Sequence, residues 1–395
     1  MELHRDVQEH GEALCLKPRE IAWHRLANQR LIGSPFADSL EVVAQLGAVQ
    51  AQDYAGAKWG VAMRTPGEMD AHVERAIDSG AIVRTHVLRP TWHFVAAKDI
   101  CWMQELTAPH VRRRMAPYDR QLELDDKVFA RSATAITKAL KGGKHLTRNE
   151  LRQVLQPGSS GARSTQRLAH LMMRAELDGL VCSGALKGKQ STYALLEERV
   201  PAAPPMQREE ALAELARRYF ATRGPATVHD FAWWSGLAMA DAKRGIESVQ
   251  SEFRKQVMDG ATYWLREDAM PAKPRRAVAH LLPNYDEYFI GFRDRSAIGE
   301  LVKASGVRNA HDAFSAHVVA IDGQLVGGWK RLMSAKRVVL RLHLVLDLGP
   351  AQLRAIEHEA RRYGAYLGMP VEVSHGKGPG PKLGFPVSFA PRSAR

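Results

Sequence analysis

Residues 128–198 carry a run of start and stop signals that few folds satisfy. Val128 to Leu140 has the apolar spacing of an amphipathic helix and stops at Gly142-Gly143. Thr147, with Glu150 three residues on, forms a capping box ahead of Leu151, Val154 and Leu155 and predicts a second, short helix. The turn QPGSSGARS ends it. A third helix opens at Ser164 or Thr165, carries Leu168, Leu171, Met172, Ala175 and Leu177, and closes at Gly179. LVCSGALKGKQSTYALL then reads as strand, basic glycine-bearing turn, strand. Helix, turn, helix and a β-hairpin wing is the winged-helix order.

The same order recurs on either side. After the stiff linker PAAPP, Pro201 to Pro205, Glu209 to Thr222 reads as a helix. Thr227 caps VHDFAWWSGL, Met239 to Val249 is a further helix, and ATYWLRED (261–268) is strand-like. Nearer the N-terminus, helices are predicted over Ile21–Ile32, Ser39–Leu46, Ala55–Met63 and Asp70–Asp78, with a hairpin over 81–95. The units share an order of elements and little sequence identity. From Arg276 the texture changes: VVAIDGQLVGGWKRLMSAKRVVLRLHLVL, broken at Asp322-Gly323 and Ser334-Ala335-Lys336, predicts consecutive antiparallel strands. A helix, Pro350 to Leu367, and a glycine- and proline-rich loop, 375–382, follow. The predicted fold class is α+β, with three tandem winged-helix domains (16–125, 126–200 and 206–275) followed by a C-terminal β-barrel-like domain (276–395).

Charge points to the partner. The 395 residues carry a formal charge of +13 and a pI near 9.7, the electrostatic footprint of a chain that meets phosphate backbones. Between Lys138 and Arg167 stand seven basic residues against the single acid Glu150, and His110, Arg112, Arg113 and Arg114 form a second cluster. Apolar residues interrupt both at helical spacing, so they read as folded faces and not as a basic tail. No window approaches the roughly 20 apolar residues of a membrane span, and the N-terminal stretch lacks the apolar core of a signal peptide. Cys15, Cys101 and Cys182 make neither a disulfide framework nor a zinc site, so a soluble protein of a reducing compartment is expected. No GxxxxGK[ST], GxGxxG before a helix, GxSxG or HExxH occurs, which removes the usual anchors of nucleotide hydrolysis, dehydrogenation and zinc hydrolysis.

Three segments are candidate sites, each with a plainer alternative. Gln50-Ala51-Gln52-Asp53 places two amides on one side only if the chain is extended or turning, since residues i and i+2 of a helix lie about 200° apart; solvated or capping glutamines are the plain reading. In the hairpin from Arg84 to His93, Thr85, Val87 and Arg89 oppose Arg84, His86 and Leu88. Arginine, tryptophan and two histidines on one ribbon suit phosphate contact and base stacking, and an edge strand with Trp92 in the core fits equally. No cysteine or carboxylate stands at ligand spacing from His86 and His93 to hold a metal. PNYDEYFIGFRDRS (283–296) gathers Asp286, Glu287, Asp294, Arg293 and Arg295, more simply ion-paired than catalytic. The hairpin around Asp322-Gly323 and Gly327-Gly328-Trp329 is either a DNA-inserting element or a plain turn.

With these segments assembled, the chain resembles the AlkZ and YcaQ family of winged-helix DNA glycosylases. The resemblance rests on LGAVQAQDYAGAKWGVAMRT (46–65), VRTHVLRPTWHFVAAKDICWM (83–103), the middle winged helix and LLPNYDEYFIGFRDRS (281–296). It implies removal of N7-alkylated purines, including bulky adducts and interstrand crosslinks, from double-stranded DNA by a bacterial, cytoplasmic, nucleoid-associated monomer. No metal, cofactor, nucleotide or membrane is implied. Gln50-Ala51-Gln52 matches the Gln–apolar–Gln signature of the AlkZ branch, so Gln50 and Gln52 would hold the attacking water. An alkylated purine is already cationic and leaves without a strong general acid, so orienting water suffices. The lesion and its backbone would meet Thr85, His86, Arg89, Trp92 and His93. Arg112, Arg113, Lys144, Arg148, Arg163, Lys187 and Lys189 would grip phosphates. A crosslinked base cannot flip freely, so it would be reached without full extrusion. The rival reading is a non-catalytic winged-helix regulator, which generally carries one such unit with a dimerisation or ligand domain.

Overall fold

The computed structural model describes residues 16–158, 160–266, 276–306 and 317–376. The first unit comprises α1 (Pro18–Asn28), α2 (Ser39–Leu46), β1 (Val49–Gln50), α3 (Tyr54–Ala62), α4 (Asp70–Asp78), β2 (Ile82–His86), β3 (Trp92–Ala96) and α5 (Ile100–Gln121). The strands order β1-β3-β2, all antiparallel. Helix α1 ends earlier than predicted because Arg30 adopts a left-handed conformation (φ 56°). Asp38 and Asp53 cap α2 and α3 by accepting the amides of Glu41 and Gly56.

The second unit follows the expected punctuation: α6 (Asp126–Leu140), β4 (Leu146–Thr147), α7 (Arg148–Leu155), α8 (Gly161–Leu177), β5 (Val181–Ser183), β6 (Thr192–Leu195) and a short α9 (Leu196–Arg199). The Thr147–Glu150 capping box forms as the spacing requires. The strand order is β4-β6-β5. The third unit has α10 (Arg208–Arg223), α11 (Val228–Ser235), α12 (Met239–Ser248) and a two-stranded sheet of β7 (Arg254–Met258) with β8 (Ala261–Leu265). Residues 267–268 of the strand predicted over 261–268 lie outside the described residues.

The C-terminal region contains β9 (Ala279–Leu282), α13 (Glu287–Ile290), α14 (Glu300–Ala304), β10 (His317–Ile321), β11 (Gln324–Met333), β12 (Val338–Leu344), α15 (Pro350–Leu367) and β13 (Val371–His375). Its strands order β13-β12-β11-β10-β9, with β13 parallel to β12. Among the described residues this is an open sheet backed by α15, and it does not close into the barrel that the sequence predicts. The β10–β11 turn is Asp322-Gly323, with φ +48° and +80°, as a two-residue primed turn demands. A side chain on Gly323 would also strike the Tyr288 hydroxyl. Residues 377–382 of the predicted terminal loop lie outside the described residues.

Two apolar cores fix where the first unit sits. One joins α1 to α4 with β9 to β12 and α15, through residues such as Leu26, Val43, Trp59, Leu281, Trp329 and Tyr363. The other joins the far side of the hairpin and α5 to α10, α11 and α12, through Val83, Met103, Leu215, Phe231 and Trp234. The second unit has a smaller core of its own around Ile136, Leu151, Leu168 and Val181.

Candidate active site

The Gln50-Ala51-Gln52 segment lies at the seam between the two large cores. The chain leaves β1 at Gln50 and bends at Gln52, and β1 pairs with β3 so that Gln50 stands opposite His93, which stands opposite Thr85 on β2. Directly opposed residues of antiparallel strands share a face, so Gln50, His93 and Thr85 point the same way. The segment is held on both sides. The Gln50 amide donates to Glu287 Oε1 (2.9 Å), the Ala51 amide to the Trp92 carbonyl (2.7 Å), and Arg84 Nε donates to the Ala51 carbonyl (3.0 Å).

The two glutamines differ in exposure. Gln50 is 5% exposed, and its Oε1 accepts from Arg89 Nη2 (2.6 Å). Arg89 also donates to the carbonyl of Trp234 (2.6 Å), which fixes the guanidinium between α11 and the motif. Among the described residues no protein acceptor takes the Gln50 amino group, so it remains a donor. Gln52 is exposed, and its Oε1 accepts the Trp92 amide at 3.3 Å.

Glu287 anchors this arrangement. It is fully buried and paired with the fully buried Arg223 (2.7 Å), and its Oε2 also accepts the Trp234 indole N–H (2.8 Å). Arg223 in turn donates to the carbonyls of Leu46 (2.9 Å) and Ala48 (3.3 Å), just before the motif. Removing one partner of such a pair costs about 3–5 kcal/mol, because the other is left as an unpaired buried charge. Gly236, at the end of α11, meets the hairpin so closely that a Cβ would lie 2.2 Å from the Leu88 carbonyl oxygen. The third unit therefore supports the motif from behind.

Burial decides the protonation of the nearby histidines. His93 donates from Nδ1 to the Thr91 carbonyl (2.9 Å), and its Nε2 has no hydrogen-bond partner. Burial, reinforced by the Arg89 charge, pushes it well below the ordinary histidine range, so the ring is neutral. Burial likewise lowers Arg89 to about 10, still protonated at neutral pH. His317, at the start of β10, takes the Asn284 amide on Nδ1 (2.8 Å) and is pushed down to about 4 by burial.

The other sequence-predicted residues fall into distinct settings. Thr85 is buried and accepts from Gln104 (3.0 Å). His86 is buried against Glu176, which also takes the Trp92 indole N–H (3.3 Å). Trp92 is half-buried, with the Arg84 guanidinium 4.3 Å from its ring centre. These contacts tie the hairpin to α8 of the second unit. Arg112 reaches the Leu177 carbonyl (2.8 Å) and Asp178, and Arg113 is exposed. Lys144 and Lys189 are exposed, Arg148 donates to the Thr165 carbonyl (3.2 Å), Arg163 pairs with Glu123 (3.0 Å) and Lys187 with Glu150 (2.6 Å). Two acids of the 283–296 segment pair with distant arginines, Asp286 with Arg64 (2.9 Å) and Glu287 with Arg223. Trp329 is buried, with its indole N–H on the Leu282 carbonyl (2.9 Å).

Sequence reading missed Arg223, Arg331 and His317 as neighbours of the motif. Glu287 was visible as a charge inside an aromatic run, a setting where burial requires a partner. Among the described residues there is no group of three or more His, Cys, Asp or Glu able to hold a metal, and no helix is long and apolar enough to cross a membrane.

Comparison with known proteins identifies the architecture. Residues 43–366 match the family described as DNA glycosylase AlkZ-like. The chain belongs to the AlkZ-like DNA glycosylase family. An AlkZ-like chain of this kind is a hydrolase of N-glycosyl bonds in DNA, which sets aside the regulator reading. It is similar to the interstrand DNA cross-link repair glycosylase of Streptomyces sahachiroi, with 23% identity over 358 residues, covering 86% of this chain and 93% of that protein. The solved structure of Streptomyces sahachiroi DNA glycosylase AlkZ has the same fold, with a TM-score of 0.72 at 20% identity, covering 91% of this chain and all of that one.

Proposed function

We propose that this AlkZ-like glycosylase hydrolyses the N-glycosidic bond of N7-alkylated purines in double-stranded DNA, including bulky adducts and interstrand crosslinks, with Gln50 and Gln52 positioning the water. The observation that carries this reading is the doubly pinned Gln50-Ala51-Gln52 backbone, turning out of β1, with one amide exposed and the other buried and held by Arg89. A reactive water needs donors and acceptors whose positions are set before substrate arrives. Arg89 on the Gln50 oxygen leaves the amino end to donate, and the exposed Gln52 amide meets the incoming sugar.

Alkylation at N7 supplies the leaving-group activation, so the reaction needs no acid from the protein. The C1′–N9 bond breaks with its electron pair going to the cationic base, and water adds to C1′. We read the three helical units with their hairpins, over 16–125, 126–200 and 206–275, as winged helices. Their exposed cations, Arg113, Lys144 and Lys189 among them, hold the phosphates on either side. A base tethered to both strands stays near the helix, and an open, surface-level Gln52 suits such a substrate better than a deep pocket does.

The test is strand scission by alkali after incubation with duplex carrying N7-methylguanine or a nitrogen-mustard crosslink. Wild type is expected to cut at the lesion. Gln52→Ala and Gln50→Ala are each expected to slow single-turnover excision by roughly 100-fold, the scale of a lost transition-state contact. Full rate in both variants would place the chemistry elsewhere.

A further inference from the structure

The residue after the motif is an acid in an unusual position. Asp53 Oδ1 accepts the Gly56 amide (3.1 Å), so the carboxylate sits on the N-terminus of α3. Gly56 makes room for it, since a Cβ there would lie 2.4 Å from Asp53 Oδ2. The same Oδ1 faces Arg331 Nη2 at 3.3 Å, and the Asp53 side chain keeps 23% of its surface. Arg331 lies on β11, two residues beyond Trp329, whose ring stacks on His317 (4.6 Å). His317 is neutral, so among the described residues Arg331 is the one formal charge paired with Asp53. Beyond Arg331 the strand runs out to exposed Leu332 and Met333 and the basic turn residues Lys336 and Arg337.

We propose that Asp53 is a further catalytic residue, whose carboxylate stabilises the cationic sugar of the transition state, and that Arg331 masks it until a DNA phosphate draws the guanidinium away. The inference rests on the glycosylase chemistry proposed above and adds the group that this chemistry lacks. Two amides orient water and carry no charge to set against an oxocarbenium-like sugar. A carboxylate directly after them does, without being consumed. The C1′–N9 pair leaves with the base, the water oxygen bonds to C1′, its surplus proton passes to solvent, and the Asp53 carboxylate forms no covalent bond. Arginine binds phosphate through paired charge-assisted hydrogen bonds, so the DNA backbone competes directly for Arg331. Helix capping alone is served equally by asparagine, which retains the Oδ1 acceptor without the charge.

That difference makes the test. Asp53→Asn is expected to keep the melting temperature of wild type while lowering the single-turnover rate at saturation about 30-fold or more on N7-methylguanine duplex. Its half-saturating concentration is expected to stay within about threefold. A second readout needs no turnover: equilibrium binding of duplex with a cationic pyrrolidine abasic analogue against the neutral tetrahydrofuran analogue. Wild type is expected to prefer the cation about tenfold, and Asp53→Asn to lose the preference. Arg331→Gln is expected to raise the half-saturating concentration several-fold, and no change there would overturn the hand-over to phosphate. An Asp53→Asn variant as fast as wild type, with the cation preference intact, would overturn the catalytic role of Asp53 alone. A wild type that binds DNA yet releases no alkylated base would instead overturn the underlying reading.

Discussion

At the scale of single residues, the site is a set of neutral or locked groups around one extended segment. The glutamines stood out because residues i and i+2 share a side only where the chain is extended or turning, and here the chain leaves β1 at Gln50 and bends at Gln52. The pairing of Arg223 with Glu287 did not, because sequence separation hides a contact between residues 64 positions apart. The buried histidines make the chemistry insensitive to pH near neutrality and the fold sensitive to it in acid. His280 and His317 are pushed by burial from 6.5 to about 4, and His93 is lowered in the same direction. Between those values the unfolded chain binds protons that the native state refuses. Stability present above pH 6.5 is therefore lost as pH falls toward 4, by about 2 kcal/mol for each of His280 and His317 at pH 5. Single-turnover excision is expected to stay flat from about pH 6 to 8, since amides do not titrate, while the melting temperature drops between pH 7.5 and 5.0. A melting temperature that holds or rises at pH 5.0 would contradict the burial of these rings.

At the scale of elements, helices with caps and the β5–β6 hairpin were read well, while isolated short strands were not. The capping boxes at Thr147–Glu150 and Thr227–Asp230 start α7 and α11 where their spacing says. Strand β9 is the four-residue Ala279–Leu282, too short for a periodicity to announce it, and β13 declares itself only through parallel pairing across α15. Helix α5 spans 22 residues through Pro109 and Pro117, which in a bare sequence read as breaks. Its buried face of Trp102, Met103, Leu106 and Val111 outweighs the lost backbone bonds. The hairpin loop between β5 and β6 offers Lys189 to solvent, whereas Lys187 is occupied by Glu150. Lys189→Ala should therefore weaken duplex binding evenly across sequences and reduce the slope of log affinity against log salt by about 1. Fluorescence anisotropy over a salt series measures it, and an unchanged slope would remove this hairpin from the interface.

At the scale of the whole molecule, the linear order of units disguises how they are joined. The second unit has its own core, so residues 122–200 are expected to unfold cooperatively as an isolated fragment. Residues 16–125 alone are expected to show no cooperative thermal transition, because Trp59 and its neighbours pack on Tyr363 and Tyr366. Circular dichroism melts of the two fragments decide this, and a sharp transition in the 16–125 fragment would show that its core is self-sufficient. The shared interior has a cost during synthesis. The Gln50–Gln52 segment emerges from the ribosome early, yet the strands that bury its surroundings are translated more than 200 residues later. For that interval the nascent chain carries bare aromatic surface that only its own distal end can cover, which makes this glycosylase a natural client for holding chaperones.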